Sequence, residues 1–281
     1  MKLVKEMRFG EERALYGARD LHVQGCTFAG EEDGESALKE SCGVLAEQCD
    51  FALRYPFWHN TDLRIDGCEM RDTCRAPLWY CGDVRIRNSR LHGTKAVREC
   101  EGVAVDGCDI LSEEFGWFSS DIRIRNTSAE GAYFLLRSRD VSLNGLRFKG
   151  KYSFQYVENL TAEGCDFDTK DAFWHAKNVT VTDSVLRGEY LGWYSENLTL
   201  IRCRISGTQP LCYCKSLRLI DCEMTDTDLA FEKSSVEATV TSHVVSIKNP
   251  RAGSITVPSV GEWIMDDPEA KGRVLVIPRS K

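Results

Sequence analysis

The chain has 281 residues, 42% hydrophobic and 28% charged, with 36 Lys+Arg against 43 Asp+Glu and a formal net charge of −7. That hydrophobic content excludes a disordered chain, and 22 Gly with 7 Pro exclude a collagen-like or low-complexity one. The acidic balance argues against a general nucleic-acid binder, which carries a basic excess, and leaves 13 Cys as the number that most needs explaining.

At about 150 residues per domain the length alone suggests two domains, a count that internal repeats override. The first ten residues, MKLVKEMRFG, carry Lys2, Lys5, Glu6 and Arg8 and lack the apolar centre of a secretion signal. No stretch approaches the roughly 18 apolar residues that span a bilayer. The expectation is a cytoplasmic chain without membrane contact, whose thiols stay unpaired in a reducing compartment.

From residue 21 onward a short phrase recurs: apolar-x-apolar-x-x-small-x-apolar. It first reads Leu21-x-Val23-x-x-Cys26-x-Phe28, then Val44-x-Ala46-x-x-Cys49-x-Phe51, then Leu63-x-Ile65-x-x-Cys68-x-Met70. Copies start at 21, 44, 63, 84, 103, 122, 141, 160, 179, 198, 217 and 236, and from Val84 to Val236 every step is 19 residues. The period-two alternation predicts strands with one buried face. Arg64, Arg85, Arg87, Arg123, Arg125, Thr180 and Arg218 fall on the outward positions.

Two turn columns recur with the strands. The position before each phrase is Asp20, Gly43, Asp62, Asp83, Gly102, Asp121, Asp140, Asn159, Asn178, Asn197, Ser216 or Ser235. A second column holds Gly25, Gly67, Asn88, Gly107, Asn126, Gly145, Gly164 and Asp183. These types tolerate the left-handed backbone region or close side-chain turns. The Asn-x-Ser/Thr matches at Asn126, Asn159, Asn178 and Asn197 are thereby read as turns followed by strands.

One such 19-residue unit cannot bury its own face, whereas parallel stacking of copies does. There is no helical period and no six-residue subperiod, so the fold class is all-β: a right-handed parallel β-helix of about twelve coils. Residues 1–243 form one β-helix domain, with residues 1–13 capping its first coil. Residues 244–281 break the repeat and form an irregular C-terminal cap that packs on or extends the helix. Two insertions interrupt the period, one within Glu31-Glu32-Asp33-Gly34-Glu35 and one around Arg71 to Arg75. Both read as surface loops, a class that also lines sites.

The cysteines follow the repeat. Cys26, Cys49, Cys68, Cys108, Cys165, Cys203 and Cys222 share the sixth position with Ser89, Thr127, Leu146, Ser184 and Thr241. Cys81, Cys100 and Cys214 share another column with Ser119, Ser138, Ala176 and Ser195. Interchange with small residues marks buried packing positions, where free Cys acts as a small hydrophobe. No C-x-x-C pair offers zinc ligands, and Cys212-Tyr213-Cys214 places its thiols on opposite faces, so neither metal nor cofactor is expected.

Five of the six Trp share one column: Trp58, Trp79, Trp117, Trp174 and Trp193. The adjacent column holds His59, Tyr80, Phe118, Tyr156, His175, Tyr194 and Tyr213. Neighbouring strand positions face opposite ways, so one column points outward. Trp58, Trp79, Trp117, Trp174 and Trp193 with Tyr80, His175 and Tyr194 are the candidate ligand residues, as a groove of aromatic faces for sugar rings. A corner of the core or a homo-oligomer interface is the other use of such a stack. His59 and His175 stand six coils apart, roughly 29 Å, and cannot share a site. The catalytic candidates are carboxylates. Asp168 and Asp171 enter the coil of Trp174, and Glu189 enters the next, a spacing compatible with the ~5–9.5 Å that glycoside hydrolysis requires.

The stacked phrase, with its Cys/Ser/Thr column and Asn/Asp turns, resembles the pectin-lyase-like superfamily of right-handed parallel β-helices. The segments Glu12-Arg13-Ala14-Leu15-Tyr16-Gly17, Lys170-Asp171-Ala172-Phe173-Trp174, Gly188-Glu189-Tyr190-Leu191-Gly192-Trp193 and Leu229-Ala230-Phe231-Glu232 resemble an uncharacterised bacterial family, a domain of unknown function. So does the tail from Ser246-Ile247-Lys248-Asn249-Pro250 to Gly261-Glu262. The resemblance implies a bacterial, cytosolic β-helix and carries no activity. The superfamily's enzymes cleave acidic polysaccharides, and neither a Gly-His-Gly flanked by paired Asp nor an Asp-His strand motif is found here. The leading expectation is a scaffold that presents one face to a ligand or partner, an oligosaccharide or small sugar first. A carbohydrate-active enzyme using Asp168, Asp171 or Glu189 on imported oligosaccharide is one alternative, and a homo-oligomeric structural protein is the other.

Overall fold

In the strand Thr61–Asp66, Leu63 and Ile65 are buried while Thr61, Asp62 and Arg64 face water. The same alternation, repeated at ~19-residue spacing over about 14 turns, makes the chain a right-handed parallel β-helix. The computed structural model describes residues 1–30 and 34–278, so Glu31, Glu32 and Asp33 of the acidic insertion lie outside the described residues. Among those described, the one helical element is a 3-10 turn, Asp72–Cys74, and no helix is long and apolar enough to cross a membrane. The chain divides into two compact units, Met1–Ser142 and Leu143–Lys281.

In the first unit the main sheet stacks Lys2–Lys5, Arg19–Gln24, Cys42–Glu47, Thr61–Asp66, Gly82–Arg87, Glu101–Asp106 and Ser120–Arg125, all parallel. Register is exact by column: Leu63, Val84, Val103 and Ile122 lie one above another. A second sheet of shorter strands follows each turn, among them Asp50–Phe51, Glu69–Met70, Arg90–Leu91 and Asp109–Leu111. Phe57–Trp58, Leu78–Trp79 and Val97–Arg98 form a third side. Stacked rings fill the interior, with Phe28 on Phe51 at 4.7 Å and Phe115 on Phe134 at 5.0 Å.

The second unit repeats this plan through Glu158–Glu163, Lys177–Thr182, Glu196–Ile201, Leu217–Thr225 and Ser235–Val240. Beyond the last phrase, Ala252–Val257 and Arg273–Val276 continue the same sheet in parallel, while His243–Lys248 pairs with Ser259–Ile264. At the other end of the chain, Lys2–Lys5 is already a coil, paired in register with Leu21 to Gln24. These terminal strands lack the phrase, which is why the turns outnumber its copies.

Both turn columns adopt the backbone their residue types require. Asp62 (φ 47°), Asp83 (52°), Asn159 (58°), Asn178 (54°), Asn88 (48°) and Asp183 (49°) are all left-handed. In the second unit the turn amides also bond to one another, Asn178 Nδ2 donating to Asn159 Oδ1 (3.1 Å) and Asn197 Nδ2 to Asn178 Oδ1 (3.0 Å).

All thirteen cysteines are free, twelve are buried and Cys42 is half-buried. The sixth-position column does more than pack. The backbone N–H of Cys49 donates to the Cys68 sulfur (3.3 Å), and that of Cys68 donates to Ser89 Oγ (3.0 Å). Ser89 Oγ in turn donates to the Arg87 carbonyl (2.6 Å). The second unit repeats this, with Cys165 N–H on Ser184 Oγ (3.0 Å) and Ser184 Oγ on the Thr182 carbonyl (2.7 Å). A side chain here must be small, accept from the coil before it and donate locally, which Cys, Ser and Thr all do. Cys212 and Cys214, expected on opposite faces, are both buried, because neighbouring and not alternate residues face opposite ways. Burial pushes the Cys212 thiol up to about 12 and the Cys214 thiol up to about 11.

Candidate functional site

The two aromatic columns both face outward, and the reason is the backbone. His59, Tyr80, Phe118, Tyr156, His175, Tyr194 and Tyr213 all have positive φ, between 54° and 60° among these seven. The left-handed residue breaks strand alternation, so the half-buried Trp column and the more exposed column beside it share one corner. Their ring faces turn toward one another. Trp58 stacks on Trp79 at 5.5 Å and His59 on Tyr80 at 5.0 Å in the first unit. In the second, Trp174 stacks on Trp193 at 5.5 Å, and Tyr156, His175, Tyr194 and Tyr213 stack in series at 4.9, 5.1 and 4.8 Å. The corner therefore offers ring edges, Tyr hydroxyls and imidazole nitrogens to solvent rather than open ring faces.

Cations take part in the first unit's stack. Lys39 Nζ lies 4.3 Å from the Trp58 ring centroid, and the Arg98 guanidinium lies 5.6 Å from Trp79 and 5.5 Å from Trp117. The indole N–H groups of Trp117, Trp174 and Trp193 donate to the carbonyls of Tyr133, Tyr190 and Gln209 at 2.8, 2.9 and 2.8 Å. These contacts fix the rings as part of the wall.

The structure brings two of the three candidate carboxylates together. The Asp171 N–H donates to the Glu189 carbonyl (2.9 Å), and the Glu189 carboxylate is held by Lys170 Nζ (2.8 Å). Asp171 is 5% exposed. Its carboxyl pKa is raised, first by burial and then by the negative charge of Glu189, with Lys170 opposing. Asp168 stands apart from them on an exposed position of Asp166–Lys170, in register with Lys149 and Arg187.

Two clefts of the first unit border its insertions. The larger, about 630 Å³, is lined by Asp50, Glu69, Arg71, Asp72, Arg90, His92 and Leu111. Two outward columns of the second sheet converge there: Asp50, Glu69 and Arg90 in one, Arg71, His92 and Leu111 in the other. Arg71 forks onto Asp50 through Nε (2.8 Å) and Nη2 (2.7 Å), Arg90 pairs with Glu69 (3.5 Å) and His92 with Asp109 (3.2 Å). The Asp50 contact raises the Arg71 pKa, so the guanidinium stays charged. The second cleft, about 470 Å³, is lined by Ala29, Gly30, Gly34, Ala52, Leu53, Arg54, Thr73 and Arg75. Asp72 and Thr73 come from the insertion around Arg71 to Arg75, and Gly34 from the acidic one. The period breaks were thus the sequence signal for these clefts. Asp50, Glu69, Arg90 and His92 carry no signal in the sequence because nothing in one coil shows which side chains 17 to 21 residues away pair with them.

Among the described residues no group of three His, Cys, Asp or Glu side chains is gathered as metal ligands. The chain is similar to the surface adhesin PfbA of Streptococcus pneumoniae, with 10% identity, a TM-score of 0.36 and coverage of 97% of this chain and 89% of that one. It is also similar to the A-module of the mannuronan C-5 epimerase AlgE4 of Azotobacter vinelandii, with 9% identity, a TM-score of 0.28 and coverage of 93% and 90%. The tailspike protein of E. coli bacteriophage HK620 matches with 9% identity, a TM-score of 0.33 and coverage of 96% and 65%. No curated protein matches this chain. The model of the family described as Protein of unknown function (DUF3737) matches residues 2–277, and the chain belongs to that family.

Proposed function

We propose that this protein is a carbohydrate-binding scaffold of a thiol-reducing, cytoplasmic compartment, and that its ligand sits in the larger cleft of the first unit. The cleft itself carries this reading. Its 630 Å³ is within the ~300–1,000 Å³ range of small-ligand sites, and its lining pairs carboxylates with guanidinium groups held in place by one another. A sugar presents vicinal hydroxyls that donate and accept in the same plane, and ionised side chains bond them more strongly than neutral ones. Thirteen free thiols support the compartment.

A panel of mono- and oligosaccharides titrated against the whole chain tests this. Binding with a dissociation constant between roughly 10 μM and 1 mM is expected for at least one sugar. Glu69→Gln and Arg71→Gln should each weaken it about tenfold, the loss of one charged hydrogen bond. Trp174→Ala should leave it unchanged. Absence of binding across the panel, or loss with Trp174→Ala but not with Glu69→Gln, overturns the assignment to this cleft.

Asp171 favours a second reading, a carbohydrate-active enzyme. A buried carboxyl with a raised pKa beside Glu189, itself paired with Lys170, has the make-up of a general acid with a companion carboxyl. Release of reducing sugar by the wild type but not by Asp171→Asn supports it, and equal release by both removes it.

A further inference from the structure

On the main sheet of the first unit, the outward positions of three adjacent strands carry Arg85, Ala104 and Arg123 in one row and Arg87, Asp106 and Arg125 in the next. The four arginines are exposed. They line a groove of about 210 Å³ whose floor is Ala104 with the backbone of Ile86 and Val105. Arg123 pairs with Asp121 (2.8 Å), whereas among the described residues Arg85, Arg87 and Arg125 make no ion pair. Asp106, the carboxylate that lines the groove, is engaged by the Asn126 amide (3.2 Å). On a chain of net charge −7, this is a local excess of positive charge, four guanidinium groups that Asp121 and Asp106 offset only in part.

We propose that this groove is an oxyanion site that takes a phosphate group over Ala104, between Arg85 and Arg123. Strands about 4.8 Å apart place these two arginines about 10 Å apart at the backbone. A tetrahedral oxyanion about 2.5 Å across, accepting at about 2.8 Å on either side, bridges nitrogens roughly 8 Å apart, so the two stems need only a small lean. Ala104 makes this possible. Its methyl leaves a notch exactly one residue wide between two long side chains, and any larger residue there fills the anion's place. Arg87 and Arg125 add charge on the side of the second row, which favours a doubly charged phosphate over a single carboxylate. The groove lies on a different sheet from the proposed sugar cleft, and the inference is independent of that reading.

Calorimetric titration of the whole chain with inorganic phosphate and with a small phosphate monoester at low ionic strength tests it. Saturable one-site binding is expected, with a dissociation constant on the order of 1 mM that weakens severalfold in about 0.5 M salt. Tighter binding of the monoester identifies an ester-linked phosphate as the ligand, and tighter binding of inorganic phosphate identifies the free ion. Ala104→Leu keeps all four arginines and should weaken binding about tenfold or more, as should Arg85→Gln. Arg218→Gln, the lone arginine of the same column in the second unit, should change nothing. No saturation up to about 20 mM of either anion, an Ala104→Leu chain that binds like wild type, or an equal loss with Arg218→Gln overturns the site.

Discussion

The two units share a repeat and differ in what they show to water. In the outward row of the main sheet the first unit has Arg64, Arg85, Ala104 and Arg123, where the second has Thr161, Thr180, Thr199 and Arg218. The next outward row runs Asp66, Arg87, Asp106 and Arg125 against Glu163, Thr182, Ile201 and Ile220. Turn residues that are mainly Asp in the first unit become Asn in the second, where their amides join in a ladder. Both insertions, and the two clefts they border, belong to the first unit. Inward columns must interdigitate with the coil above and below, so they stay alike along the chain. Outward columns meet solvent and carry no such demand, which leaves them free to specialise.

This contrast sets what experiments should find. The largest effect is in thiol reactivity, which depends on the shared interior. In the native chain a thiol reagent should modify Cys42 alone, the other twelve reacting slower by on the order of 10³ or more and all thirteen reacting once the chain unfolds. Fast labelling of cysteines confined to one unit would show that its interior opens separately. Next come the glycines. A Cβ at Gly188 (φ 142°) would lie 2.1 Å from the Thr169 carbonyl oxygen, so Gly188→Ala should cost about 3–5 kcal/mol by denaturant unfolding. Gly67→Ala (φ 61°) meets its nearest atom at 3.7 Å and should cost about 1 kcal/mol.

The hydrogen-bonded column should make the units equal. Ser89→Ala strands the Cys68 N–H and Ser184→Ala strands the Cys165 N–H, each at a cost of about 1–3 kcal/mol, while Cys68→Ser should change stability by less than about 1 kcal/mol. A clear inequality between the two serine variants would mean that the interiors are not equivalent. The smallest effect is specific to the second unit. Because the folded pKa of Asp171 is raised, the folded chain binds the extra proton, and ionisation of this group opposes folding at neutral pH. Asp171→Asn should therefore be the more stable chain at pH 7. Its advantage should fade as the pH falls through the folded pKa towards the ordinary value of 3.8. A constant difference across that window would assign the effect to something other than the proton.

Much of the fold was legible because a β-helix writes its contacts into the sequence at a fixed interval. Leu63, Val84, Val103 and Ile122 meet in space for the same reason that they align in the repeat, and Asp62 or Asn178 marks a turn by its own backbone preference. The sites were less legible. The alternation rule assigned opposite faces to Trp174 and His175, whereas the left-handed backbone at His175 (φ 54°) turns both outward. The small-residue column read as packing, and only the coordinates show that Ser89 and Ser184 each satisfy a backbone donor one coil away.

The sequence by itself determined the strands, their register, the turns and the inward columns, because each depends on local backbone preference and on the residue one coil away. Tertiary structure alone decided which ring faces are covered, where Asp171 loses its water, and how Asp50, Glu69, Arg71 and Arg90 from successive coils close around one cleft. Those outcomes depend on side-chain direction and on the separation of groups across several coils. Neither is encoded in a period.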